Sequence, residues 1–111
     1  MDKVILIGNL GSDPEGGYTQ NGNFVVHFSV AANRRKDDPP IWYRVSAWGE
    51  LGENCHRYLK KGRRVYVEGR LEYDEKMGGP RIFLRKDQTA GAAFEVVASL
   101  VEFLDGREEG E

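Results

Sequence analysis

"IWYRVSAWGELGENCHRYLKKG", residues 41–62, changes its hydrophobic period halfway along. Up to Trp48 the residues alternate as in a strand, with Trp42, Arg44, Ser46 and Trp48 on one side and Tyr43, Val45 and Ala47 on the other. From Glu50 the period lengthens. Leu51, Cys55, Tyr58 and Leu59 fall on one helical face, Lys60 and Lys61 sit in the last turn, and Gly62 stands as the C-cap. The second side of the strand is a core face. The first is not, because Arg44 and Ser46 seek water while two large indoles share their surface.

The runs on either side of this stretch read with period two. "KVILIGNL" at 3–10 is apolar on both faces, as expected of a strand covered on both sides by its own fold or by another subunit. After the turn "QNGN", "FVVHFSVAAN" sets Phe24, Val26, Phe28 and Val30 against Val25, His27, Ser29 and Ala31. "RRVYVEGRL" at 63–71 and "FEVVASLVEFL" at 94–104 are two further strands. Between them lies a long connection with Gly-Gly-Pro at 78–80, the short run "RIFLR" and the flexible stretch "DQTAGAA". Three strands, one helix and two strands predict an all-β protein with one helix. The matching architecture is an OB-fold, a five-stranded partly open barrel of order β-β-β-α-β-β, whose strand 2 and 3 face commonly binds oligonucleotides or oligosaccharides.

With 111 residues, the chain reads as one domain over 1–104 followed by a short acidic end at 105–111. One cysteine permits no internal disulfide, so a reducing compartment is expected, and the longest apolar run, "VILI" at 4–7, is too short for a membrane span or a signal-peptide core. The cytoplasm is the expected location. The net charge of −2 hides an uneven distribution, because residues 102–111 carry five acids and one arginine, leaving the rest at +2. Cations cluster as Arg34, Arg35 and Lys36, then Lys60, Lys61, Arg63 and Arg64, then Arg81, Arg85 and Lys86. Such clusters steer a polyanion through the local field, although each alone is also what a solvated loop presents.

Catalysis has little to work with. Cys55 and His56 are neighbours on the helix, so their side chains diverge by about 100 degrees and cannot act as a nucleophile and base. Cys55 reads as a core residue and His27 as a surface or subunit-contact residue. One Cys and two His lack the paired spacings of a zinc site, and "GNLG" lacks the elements of a phosphate-binding loop, so neither metal nor other cofactor is expected. Single-strand recognition, by contrast, needs aromatic rings for stacking and a basic track for phosphates. Trp42 and Trp48 lie about 20 Å apart along the strand at roughly 3.3 Å per residue, far enough to stack different bases, with Arg44 between them. "RIFLR" repeats the theme, placing Arg81, Phe83 and Arg85 on one face and Ile82 and Leu84 on the other. Tyr73 is a weaker candidate.

"KVILIGNLGSDPE", "FSVAANRR", "WYRVSAWGELGEN", "YLKKG", "VYVEGRL" and "FEVVASLVEFL" occur in an order and spacing that resembles the bacterial single-stranded DNA-binding protein family, from about residue 3 to 104. The resemblance implies an OB-fold that assembles as a homotetramer, partly through its first strand, and wraps single-stranded DNA without strong sequence preference, metal or nucleotide. It implies stacking by Trp42 and Trp48, with Arg44 and Lys61 on the DNA path. It also exposes departures. Lys36 stands where an aromatic is common, Glu50 where a cation is common, and the segment after "EGRL" is longer, with Phe83 as a substitute aromatic. "REEGE" is acidic but lacks the apolar tip through which the family recruits replication and repair proteins, which argues against that recruitment.

The expected function is therefore coating of single-stranded DNA in replication, recombination and repair, with no enzymatic activity and no membrane partner. The expected contacts are Trp42, Trp48 and Phe83 for bases and Arg34, Arg35, Lys36, Arg44, Lys61, Arg81 and Arg85 for phosphates. One rival is a primosome-type OB-fold subunit whose tryptophans meet a protein. The other is an OB-type enzyme or nuclease, for which no acidic cluster can be placed.

Overall fold

The alternating runs form strands and the run of longer period forms the helix. In chain order the elements are β1 (Val4–Leu10), β2 (Glu15–Tyr18), β3 (Phe24–Ala32), β4 (Ile41–Trp48), α1 (Gly49–Tyr58), β5 (Arg64–Leu71), β6 (Ile82–Leu84), β7 (Ala90–Ala92) and β8 (Phe94–Phe103). This computed structural model describes residues 1–104, and the acidic end expected at 105–111 lies outside them.

Five of these strands make the barrel. Antiparallel pairing joins β3 to β4, β5 to β8 and β1 to β5, and β4 runs parallel to β8. The ring closes where the end of β1 leaves β5 and pairs with β3 through Asn9 with Ala31 and Leu10 with Val30. The barrel expected as partly open is therefore closed, by a seam of two residue pairs. The remaining strands are additions. Strand β2 lies outside β3, and β6 and β7 form a separate hairpin. "EGGY", the sequence of β2, has no apolar alternation to announce it.

Each barrel strand turns its regular apolar side inward. Val26, Val30, Val45, Val65, Val67 and Val96 are completely buried, joined by Leu6, Leu10, Phe28, Ala47 and Ala98. Burying one such aliphatic side chain stabilises the fold by about 1.5–3 kcal/mol relative to leaving it in water, so this register is strongly specified. The other side of β1 is left open, with Ile5 and Ile7 still 57% and 45% exposed.

Helix α1 closes the barrel end through Cys55 and Leu51, with Gly52 set against β4 closely enough that a methyl group there would lie 2.4 Å from the Ala47 carbonyl oxygen. Burial pushes the Cys55 thiol up to about 11, so it remains a neutral core group at physiological pH. The helix ends earlier than its sequence predicts. Leu59 is extended and buried, and Lys60, Lys61 and Gly62 form a turn beyond the helix rather than its last residues and cap. The reason is tertiary. The N–H of Gly62 donates to the Leu10 carbonyl at 2.9 Å, and the N–H of Leu10 donates to the Arg63 carbonyl at 2.9 Å, drawing the chain off the helix and onto β1. Tyr58, expected on the buried face, is exposed and rests against Phe103 with ring centroids 6.2 Å apart.

Closure leaves no room at Gly8, where an added methyl group would lie 2.2 Å from the Ala31 carbonyl oxygen. Because the obstacle is backbone, Gly8→Ala is expected to destabilise the protein by about 1–3 kcal/mol. A urea denaturation curve with its midpoint unmoved would show that the seam tolerates separation.

Candidate nucleic-acid interface

The residues that β4 turns outward meet the outward residues of its neighbours. Opposite each other across β2, β3 and β4 stand Glu15, His27 and Ser46, while Ser29 and Arg44 are paired one step along. On the other side of β4, Arg44 is in register with Glu95 and Ser46 with Val97 of β8. Trp42 and Trp48 close the two ends of this face at 50% and 45% exposure. The alternation thus places both indoles and Arg44 outward together because Val45 and Ala47 point into the core.

Two grooves run over the face. One, of about 410 Å³, is lined by Trp42, Arg44, His27, Ser29, Ser12 and Glu15, among others. The second, of about 470 Å³, lies between β4 and the segment leading into the hairpin, where Arg44, Trp48, Arg81 and Phe83 meet His27, Glu72 and Glu95. Arg44 and His27 line both. The Trp42 indole reaches over Gly11, whose missing side chain makes the space, since a methyl group there would lie 2.4 Å from Trp42 Cζ3. At the other end, Trp48 is the last extended residue before α1, and Gly49 takes φ +62 to turn the chain into the helix.

The remaining expected contacts are distributed differently. Arg81 is in the second groove, but its guanidinium donates to Glu95 Oε1 at 2.6 Å and lies 3.8 Å from Glu72. Arg85 folds back over its own hairpin, donating to the Ala90 carbonyl and lying 5.8 Å from the centre of the Phe83 ring. Phe83 and Arg85 both crowd the position above Gly91, so they share a face as the alternation predicts. The opposite face is not a core face. Ile82 and Leu84 are exposed because the hairpin stands off the barrel, with no layer behind it. Arg34, Arg35 and Lys36 sit in the exposed β3–β4 loop and line neither groove. Lys61 is in the turn after α1, where its backbone N–H donates to Asp13 at 2.8 Å. Tyr73 lines a separate hollow with Leu71, Pro80 and Phe94. Glu50 occupies the first turn of α1, where the helix dipole favours a carboxylate.

Sequence reasoning missed His27, Glu72 and Glu95 as part of the face. His27 and Glu95 carried a signal, since each lies on the polar parity of its strand. Their convergence needed the register of three strands. The His27 ring shares a 2.9 Å hydrogen bond with Ser46 Oγ through Nδ1. Partial burial, followed by the Arg44 charge, holds its pKa below the usual imidazole value, against the opposing pull of Glu15 and Glu95. Among the described residues, no group of three or more His, Cys, Asp or Glu is placed to hold a metal ion, and no helix is long and apolar enough to cross a membrane.

Known proteins resemble this sequence over nearly its whole length. A sequence model of the single-strand binding protein family matches residues 1–104. A "Single-stranded DNA-binding protein" of Xanthomonas campestris pv. campestris is 40% identical over 99% of this chain and 64% of its own length. "Single-stranded DNA-binding protein 1" of Chlorobaculum tepidum is 36% identical over 99% of this chain and 68% of its own. A third similar protein, from Neisseria meningitidis serogroup A, is 37% identical over 98% of this chain and 63% of its own. The chain thus spans slightly less than two thirds of the Xanthomonas and Neisseria relatives.

The Trp42 seat is separable from the core. Gly11→Ala is expected to displace the indole, which has solvent to move into, and so to change intrinsic tryptophan emission while costing stability only about 0.5 kcal/mol. An unchanged emission spectrum would mean that Gly11 does not set the ring's position.

Proposed function

The chain belongs to the single-strand binding protein family, and from that premise we propose that it binds and coats single-stranded DNA without strong sequence preference. The observation that carries this reading is the pair of half-exposed indoles flanking Arg44 on the outward side of β4. Every base has a π-face, so stacking on Trp42 and Trp48 tolerates any sequence, and each such contact is worth about 1–3 kcal/mol. Arg44, on the floor between them, meets phosphate or stacks as a planar cation. Phe83 extends the stacking surface across the second groove. Arg81 reaches phosphate by leaving Glu95, whereas Arg34, Arg35, Lys36, Lys61 and Arg85 act outside the grooves, catching the strand as it enters and leaves.

The role we assign is that of a binding protein rather than an enzyme, in the replication, recombination and repair of DNA in the cytoplasm. Assembly as a homotetramer completes it. The outward stripe of Ile5 and Ile7 on β1, continued by Leu100 on β8, is an apolar surface that a copy of the chain would cover. Beside it, Tyr66 donates to Glu68 at 2.5 Å and Lys3 pairs with Glu68 at 2.9 Å, so the polar groups of the stripe are already satisfied among themselves.

Titration of intrinsic tryptophan fluorescence with oligo-dT tests the site. Quenching is expected on binding, and Trp42→Ala and Trp48→Ala should each weaken affinity by about 1–3 kcal/mol. If both variants bind as tightly as the parent, the indoles are not the site. Affinity should fall with salt at a log-log slope of about −0.7 for each phosphate neutralised. Sedimentation of the parent protein should give four chains and that of Ile7→Glu fewer; a parent that sediments as a single chain would refute the assembly.

A further inference from the structure

Outside the tryptophans and arginines, one side chain lies where both grooves meet. His27 lines the groove that holds Trp42 and the groove that holds Trp48 and Phe83, with Arg44 beside it in each. We propose that His27 is a further contact for single-stranded DNA, and that its imidazole takes up a proton as the strand seats, making affinity rise as pH falls. This rests on the reading of the outward face of β4 as the DNA site.

The surroundings of the ring carry the argument. Across from it on β2 stands Glu15; on β4 stand Ser46 and Arg44; from β8 comes Glu95, and Arg81 and Glu72 complete the second groove. In the free protein, partial burial and the Arg44 charge disfavour the imidazolium, while Glu15 and Glu95 favour it too weakly to prevail. A phosphate on Arg44 offsets that positive charge and adds negative charge close to the ring, and both changes favour protonation. Arg81 acts in the same sense if it leaves Glu95 for the strand, because the carboxylate it frees also attracts the imidazolium. The hydrogen-bond partner fits both states. Ser46 Oγ donates to Nδ1 of the neutral ring or accepts from Nδ1–H of the charged one, so the proton is taken without orphaning a polar group. In the charged form Nε2–H is a donor for phosphate oxygen or a base edge.

The sign follows from linkage. Because the bound complex holds its proton more tightly than the free protein, binding takes up protons at pH values between the two, and affinity climbs as pH falls through that window. The limit for one group is about tenfold per pH unit for each strand contact. Oligo-dT at fixed ionic strength between pH 5.5 and 8 isolates the effect, since thymine does not titrate there and ordinary carboxylates titrate below it. The wild type should bind several-fold more tightly at pH 5.5 than at pH 8. The slope should vanish in His27→Gln, whatever its absolute affinity, and persist in His56→Gln, which alters the other histidine, on α1 away from the grooves. In the intact wild-type protein, NMR titration of the two histidine rings should show the His27 midpoint move to higher pH when oligo-dT is bound. Equal slopes in the wild type and His27→Gln, or a His27 midpoint that oligo-dT leaves in place, would overturn the inference while leaving DNA binding intact. A wild type that binds no oligo-dT at any pH would overturn the DNA reading itself, and this inference with it.

Discussion

Barrel closure depends on a short seam, where β1 parts from β5 and takes up β3 through Asn9 with Ala31 and Leu10 with Val30. The backbones approach closely there because Gly8 offers nothing to hold them apart. Much else is anchored to the same place. Leu10 exchanges backbone hydrogen bonds with Gly62 and Arg63, and the Asn9 amide donates to the Gly62 carbonyl at 3.0 Å, so the turn that follows α1 is held against β1. Immediately beyond Leu10 comes Gly11, whose bare backbone carries the Trp42 ring. Closing the barrel and seating one end of the outward aromatic face are therefore the work of four consecutive residues.

The same coupling explains why large rings stand half-exposed on a polar surface. On β4, Val45 and Ala47 are fully buried, and alternation then leaves Trp42, Arg44, Ser46 and Trp48 no choice of side. A slip of one residue would drive Arg44 into the core, so the energy that stabilises the barrel also holds the site in register. The cations around it differ in how committed they are. Arg81 is paired with Glu95 and Glu72, and Arg85 is turned onto its own hairpin, whereas Arg44 lies on the floor shared by both grooves. A charge tally along the chain cannot distinguish these states, because each depends on which carboxylate or carbonyl the fold brings alongside.

What could be read from the residues alone was whatever repeats locally. The two-residue alternation of β3 and β4 reveals Val26, Phe28, Val30, Val45 and Ala47 as core and the indoles as outward, and the longer period after Trp48 reveals α1. The block order from "KVILIGNL" to "FEVVASLVEFL" reveals the family. Features set by distant partners stayed out of reach. Strand β2 is held by its pairing with β3 rather than by its own "EGGY". The end of α1 is decided by Leu10 and the burial of Leu59, against the local indication of Gly62. The hairpin of Ile82–Leu84 and Ala90–Ala92 shows apolar residues on both sides, and only the fold reveals that neither is a core face.

Strand β8 is the last of the strands among the described residues yet lies in the middle of the sheet, parallel to β4 on one side and antiparallel to β5 on the other. A chain still emerging from the ribosome can assemble β3 with β4 and β1 with β5 and join them where β1 meets β3, but the free edges of β4 and β5 stay bare until Phe94 and its successors arrive. Closure of the barrel must then wait for β8. Until β8 is in place, the growing chain is exposed to mispairing at those two edges.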